Sequence, residues 1–323
     1  MPRTLIRKNP SNFKTLPLFV EATPEGLSYQ SVGMPLNFSQ TLQRRRNIEV
    51  DNSERFSTEL ANLGVSVRLT LTWQNRDYWV LVRQRRQDRG DVVLKLISGY
   101  VPAHELNLPL LTAIQEVAEE CLIETPQGWL SGRFNDTWLP TPYASALHYR
   151  EAMPFRLSPL SGAARPVRCG SMNLIERPRA YVHLPTASLQ LIYDLRLEVP
   201  KEARPLSLFH VDEALEKDEL VARLNRSKPD LYLMPLANGK PLPELYTLKN
   251  DKLSPAGTRG LYLAESFAAQ DGWVVRDERI RWKDWLVQQG LVPPKAKKAG
   301  IKRRLKVGAK QLLRMARHKL HKS

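Results

Sequence analysis

Three glutamates within little more than one helical turn constrain this chain more than any other feature. Residues 99–123 read GYVPAHELNLPLLTAIQEVAEECLI, after a strand-like run DVVLKLIS from Asp91 to Ser98. Leu110, Leu111, Ile114, Val117, Ala118 and Cys121 recur at the spacing of one buried helical face. Asn107 is the expected N-cap, and Pro109 falls in the first turn, where its missing N–H costs nothing. The helix is expected to stop before Pro126. Glu116, Glu119 and Glu120 stand at i, i+3 and i+4, so their carboxylates converge on the face expected to be exposed. Like charges that close repel one another unless a cation sits among them.

Gly99, the five residues before Glu105, and then Glu116, Val117, Glu119, Glu120 and Ile123 carry a resemblance. The stretch resembles the signature of the Nudix hydrolases, G-x5-E-x7-R-E-U-x-E-E-x-G-U, where U is aliphatic. WVLVRQRR (Trp79 to Arg86) and LISGYVPAHE (Leu96 to Glu105) are also similar to the strand and loop that lead into that family's box. Three positions depart from it. Nine residues, Leu106 to Ile114, stand where the family has seven; Gln115 replaces its arginine and Leu122 its glycine. The two extra residues can be slack in the loop or an extra half-turn of helix.

The resemblance implies an α+β fold, a Nudix-like α/β/α sandwich around a mixed sheet. It implies a metal-dependent hydrolase of a nucleoside diphosphate linked to another group, a phosphate-containing small molecule. Glu119 and Glu120 would hold Mg²⁺ or Mn²⁺, hard cations suited to carboxylate and phosphate oxygens. Glu116 would be a third ligand or would help to activate water, and Glu105 would support the site from the loop. Gly99 would let backbone approach the site, and Gln115 would orient Glu116 by hydrogen bonding, without the arginine's charge. The alternative is a Nudix-like scaffold that binds a nucleotide or a partner without hydrolysing it.

The expected organisation is an N-terminal extension (1–60), a Nudix-like domain (61–226), a C-terminal extension (227–290) and a basic tail (291–323). Within 1–60, Thr23-Pro-Glu-Gly26 reads as a turn between strands and Ser39–Arg46 as a short helix, its QRRR run a solvated face rather than a phosphate site, the alternative it leaves open. VSVRLTLTW (Val65 to Trp73) and YWVLVRQ (Tyr78 to Gln84) read as strands joined near Asn75–Asp77, with a further turn at Gln87–Asp91. Residues from about 130 to 185, rich in Pro, Ser, Gly and Arg, read as an insertion, a substrate lid or a dimer contact. Arg165, Arg168, Arg177 and Arg179 there are surface arginines or phosphate contacts. Leu189–Val199 and Leu206–Val211 are expected strands, and DEALEKDELVARLN (Asp212 to Asn225) and Glu278–Gln289 expected helices.

Net charge is +16, and residues 292–323 carry twelve Lys or Arg with no acid, which leaves +4 for the rest. Ile301, Leu305, Leu312, Leu313, Ala316 and Leu320 line one face of a helix there. Residues 295–322 can bind an anionic membrane surface, nucleic acid or an acidic partner, or serve as a solubilising tail. No apolar run approaches the ~18 residues that span a bilayer, and no secretory signal is expected from MPRTLIRKNPSNF. Cys121 and Cys169 form no CxxC pair, and Cys121 reads as a small buried hydrophobe. The expectation is a cytoplasmic protein, with the tail able to hold it at the inner face of a membrane. His104, His183 and His210 are too scattered for a metal cluster and are expected at the surface or hydrogen-bonded in the core. Other catalytic signatures, from the P-loop to H-E-x-x-H, are missing from the sequence.

Overall fold

The computed structural model describes residues 2–9, 13–85, 92–216, 219–269 and 272–293. The chain divides into two compact units, Met1–Trp285 and Leu286–Ser323. The basic residues 295–322 and the turn at Gln87–Asp91 lie outside the described residues. The first unit is α+β, and among its described residues strand dominates.

Its elements follow from local chemistry. Strand β1 (Arg3–Lys8) precedes a hairpin of β2 (Leu18–Thr23) and β3 (Gly26–Ser31), which turns at Pro24 and Glu25 as expected. Helix α1 (Phe38–Arg44) starts at a capping box in which Asn37 and Gln40 bond each other's backbone N–H. Strand β4 (Phe56–Leu60) pairs with β2, and Val167–Cys169 joins β3 in parallel, so a small sheet forms mostly from the N-terminal sixty residues.

A larger mixed sheet is laid around β5 (Asn62–Trp73). Next come β6 (Arg76–Arg85), β7 (Val92–Lys95) and β8 (Ile97–Tyr100). The β5–β6 turn is Gln74–Asn75, with φ of 49° and 61°, the left-handed pair that suits a two-residue hairpin. Helix α2 (Pro109–Glu120) runs straight into β9 (Cys121–Thr125), followed by β10 (Gly128–Phe134), β11 (Tyr149–Pro159), β12 (Arg179–His183) and β13 (Ser188–Glu198). Strands β14 (Ser207–Glu216), β15 (Glu219–Leu224) and β16 (Leu231–Ala237) complete the part that matters here. β13 runs parallel to β5 from Ser188↔Asn62 to Leu197↔Leu71, while β8 and β6 pair with it antiparallel in succession. β16 lies antiparallel on β6.

Along β5, Ser66 and Thr70 are buried together with Val65, Val67, Leu69 and Leu71. β5 is paired along both edges, and α2 packs against it. Several expectations are corrected. Asp212–Asn225 is not a helix: it forms the end of β14 and its hairpin partner β15. β1 pairs with the other edge of β15, so its backbone groups are satisfied without helical bonds. The second helical layer of an α/β/α sandwich is therefore not built from this segment. Within the stretch from about 130 to 185, expected as an insertion, part is strand: β11 pairs parallel with β10 and antiparallel with β13, and β12 pairs with β13. Of the expected helix Glu278–Gln289, only Trp282–Gln288 is helical, and Arg279–Arg281 is a strand.

Candidate functional site

Helix α2 packs its apolar side on β5, β8, β9 and β14, burying Leu110, Ala113, Ile114, Val117 and Ala118. Leu108, not Asn107, is the N-cap, and no side chain caps the helix; Pro109 takes the first position, where it removes one orphan N–H. At the other end Cys121 is already extended, and β9 begins there rather than after a turn. This explains Leu122 where the resemblance implies glycine. The chain leaves the helix without a left-handed residue, and Leu122 packs with Trp129, Phe209 and Val211.

This docking turns Glu116, Glu119 and Glu120 inward, toward β7, β8 and β14, instead of into open solvent. Gly99 lies directly beneath Glu116: a methyl group at position 99 would overlap the Glu116 carboxylate. Burial, and then the charges of Glu120 and Glu119, lift the Glu116 carboxyl well above its ordinary range, with Lys95 acting the other way. Burial and the nearby Glu213 raise Glu119 to about 6, opposed by Lys8. Burial raises Glu120 as well, against the lowering effect of Lys95. Glu213, from β14, is the fourth carboxylate of the group and is also raised by burial. Tyr143 Oη links two of these elements, donating toward Glu213 Oε1 (3.4 Å) or the Glu119 carbonyl (3.3 Å).

Two lysines answer this charge. Lys95 is 9% exposed at the end of β7 and bonds Glu120 Oε1 at 3.2 Å. Lys8, at the end of β1, is 3.9 Å from Glu119 Oε1 and much more open to water. The other Glu120 oxygen, Oε2, is buried without a hydrogen-bond partner. His210 lies beside the group, its Nδ1 3.3 Å from the Glu120 carbonyl and its buried Nε2 without a partner. Burial, followed by the charge of Lys95, lowers its pKa to about 4, so it is neutral at pH 7.

The structure thus brings together Gly99, Glu116, Glu119 and Glu120. Glu105 is buried in the turn Ala103–Glu105, and its carboxylate accepts from Thr112 Oγ1 at 2.6 Å, with His104 Nε2 3.7 Å away. Gln115 is half-buried, and among the described residues it makes no side-chain bond to Glu116. Three of the four arginines are held by separate partners. Arg165 stacks on Trp273 and pairs with Glu54, Arg168 bonds Asn173, and Arg179 is 3.7 Å from Asp194. His183 and His210 are buried, as core histidines would be.

Sequence reasoning missed Lys8, Lys95, Tyr143 and Glu213. A lysine inside the apolar run VVLKLI was the legible signal for Lys95. Glu213 was hidden by its assignment to a helix.

The donor set suits a hard divalent cation: several carboxylates with raised proton affinity, and one buried oxygen without a donor. Yet among the described residues no three acidic, imidazole or thiol groups are already placed around one ion. Compared with protein-family models and with curated proteins, the chain finds no match.

Proposed function

We propose that the chain is a Nudix-type, Mg²⁺- or Mn²⁺-dependent hydrolase of a nucleoside diphosphate linked to another group. One observation carries this reading: Glu116 lies over Gly99, with Glu119 and Glu120 beside it on the same helical turn, and each carboxyl has its proton held above the usual range. Such a group destabilises a fold unless cations neutralise it. When bound, the metal supplies charge neutralisation for the diphosphate and an acidified water. The residues themselves do the positioning. Glu119 and Glu120 offer oxygens from one helical turn, Gly99 leaves room for the Glu116 carboxylate, and Thr112 fixes Glu105 at the entry of the helix.

Phosphate release from nucleotide sugars, dinucleotides, coenzyme A and nucleoside triphosphates, with Mg²⁺ or Mn²⁺ and with EDTA, tests the reading. The expected result is turnover on one substrate class that EDTA abolishes. Turnover that survives EDTA would sink it. Gly99→Ala gives a second test: the fold survives at a cost of about 1–3 kcal/mol, because the overlapped atoms end a flexible side chain. Displacing Glu116 costs about 10²-fold in turnover; an unchanged rate would remove Glu116 from the site.

The second reading, a Nudix-like scaffold that binds a nucleotide or a partner without cleaving it, is favoured by the Lys95–Glu120 bond and by Gln115. In that reading residues 295–322 supply the contact to anionic lipid or nucleic acid. A folded, metal-binding protein silent on every substrate of the panel would establish it.

A further inference from the structure

Lys95 is a buried charged group at this site for which the proposed chemistry has no use. Val93 and Leu94 before it and Leu96 and Ile97 after it are buried, so its side chain starts from the core. An ammonium has three donors, and here three acceptors stand within reach: Glu120 Oε1 at 3.2 Å, Ser98 Oγ at 3.0 Å and the Ser98 carbonyl at 3.3 Å. We propose that Lys95 is the resident cation of the carboxylate site: it occupies Glu120 in the metal-free protein and must release it when a divalent cation binds, so that it sets the metal affinity. This rests on reading Glu116, Glu119 and Glu120 as a metal site.

Three features of the geometry support the exchange. Glu120 has Oε1 on the lysine and the Ser98 backbone N–H close by, while its Oε2 is buried without a hydrogen-bond partner. Lys95 has somewhere to stay, since both Ser98 oxygens remain to it after Glu120 leaves. Lys8 does not substitute for it, because it is 3.9 Å from Glu119 and its side chain is 40% exposed, where water screens its charge. An ammonium and a divalent ion a few ångströms apart repel strongly where water is scarce. Metal therefore binds against Lys95.

Mn²⁺ binding to the full-length protein, followed by the electron paramagnetic resonance of free Mn²⁺, tests this in wild type, Lys95→Met and Lys95→Arg. Lys95→Met is expected to bind about tenfold more tightly or better, while Lys95→Arg, which keeps the charge, gains nothing. Equal affinities of wild type and Lys95→Met overturn the role of Lys95 and leave the metal site standing. No Mn²⁺ binding by either overturns the metal site, and this proposal with it. Should Lys95→Met not fold, the unmodified protein decides: the side-chain ¹⁵N resonance of Lys95, identified by its loss in Lys95→Arg, should shift as Mg²⁺ saturates the site. A resonance that stays still while backbone signals of α2 move overturns the exchange.

Discussion

Glu119→Gln should lower metal-dependent turnover by about 10²–10³-fold and, in EDTA at pH 7, make the protein harder to unfold. The two effects share one cause. Glu119 is held at about 6 in the fold against an ordinary 4.5, by burial and by Glu213. Because the folded state holds the proton more tightly than the unfolded chain, stability is fully present below about 4.5. It is lost as pH rises through about 6, where the folded carboxylate finally ionises among its neighbours. Glutamine stays neutral throughout. The variant should therefore gain about 1–2 kcal/mol at pH 7 and nothing at pH 4.5. Urea unfolding at both pH values measures this, and the His210 contribution, present in both proteins, cancels. A variant that is both slow and less stable at pH 7 would mean that Glu119 is a structural residue, not a metal ligand held at a cost.

The opposite stability effect is expected at Lys95. Its bond to Glu120 joins side chains 11% and 12% exposed, so water screens little of it. Removing one partner of such a pair leaves an uncompensated buried charge and costs about 3–5 kcal/mol. Lys95→Met should show that loss in metal-free buffer at pH 7. Glu120→Gln alone should cost less, since an amide oxygen can still accept from the ammonium. The double variant should be more stable than the sum of the two single losses predicts, because neither charge is then left alone. Simple additivity in a double-mutant cycle would show that the bond carries no energy of its own.

Much of the site was legible without coordinates. The i, i+3, i+4 spacing placed Glu116, Glu119 and Glu120 together, and the apolar positions named the face that docks on the sheet. The glycine at 99 and the glutamate at 116 lie seventeen residues apart, yet the resemblance paired them, and they do touch. What the pattern could not give was the direction of the acidic face relative to everything else. Read alone, it belongs in water. In the fold β14 and the end of β7 close over it, bringing Glu213 and Lys95, residues that no local spacing connects to α2.

The main failure has a physical reason. Asp212–Asn225 has a charge and apolar pattern compatible with a helix. It was decided by partners distant in sequence: β1 and the rest of β14 hold β15 extended. Periodicity reports which side chains share a face, because that depends on local geometry alone. It does not report whether a second strand will satisfy the backbone, or whether a lysine from another strand will reach a buried carboxylate. By itself the sequence determined the acidic helix, the strand before it and the glycine beneath it. The tertiary structure alone decided that the helix faces a lysine and a fourth glutamate, because burial and charge pairing depend on contacts the chain makes only once folded.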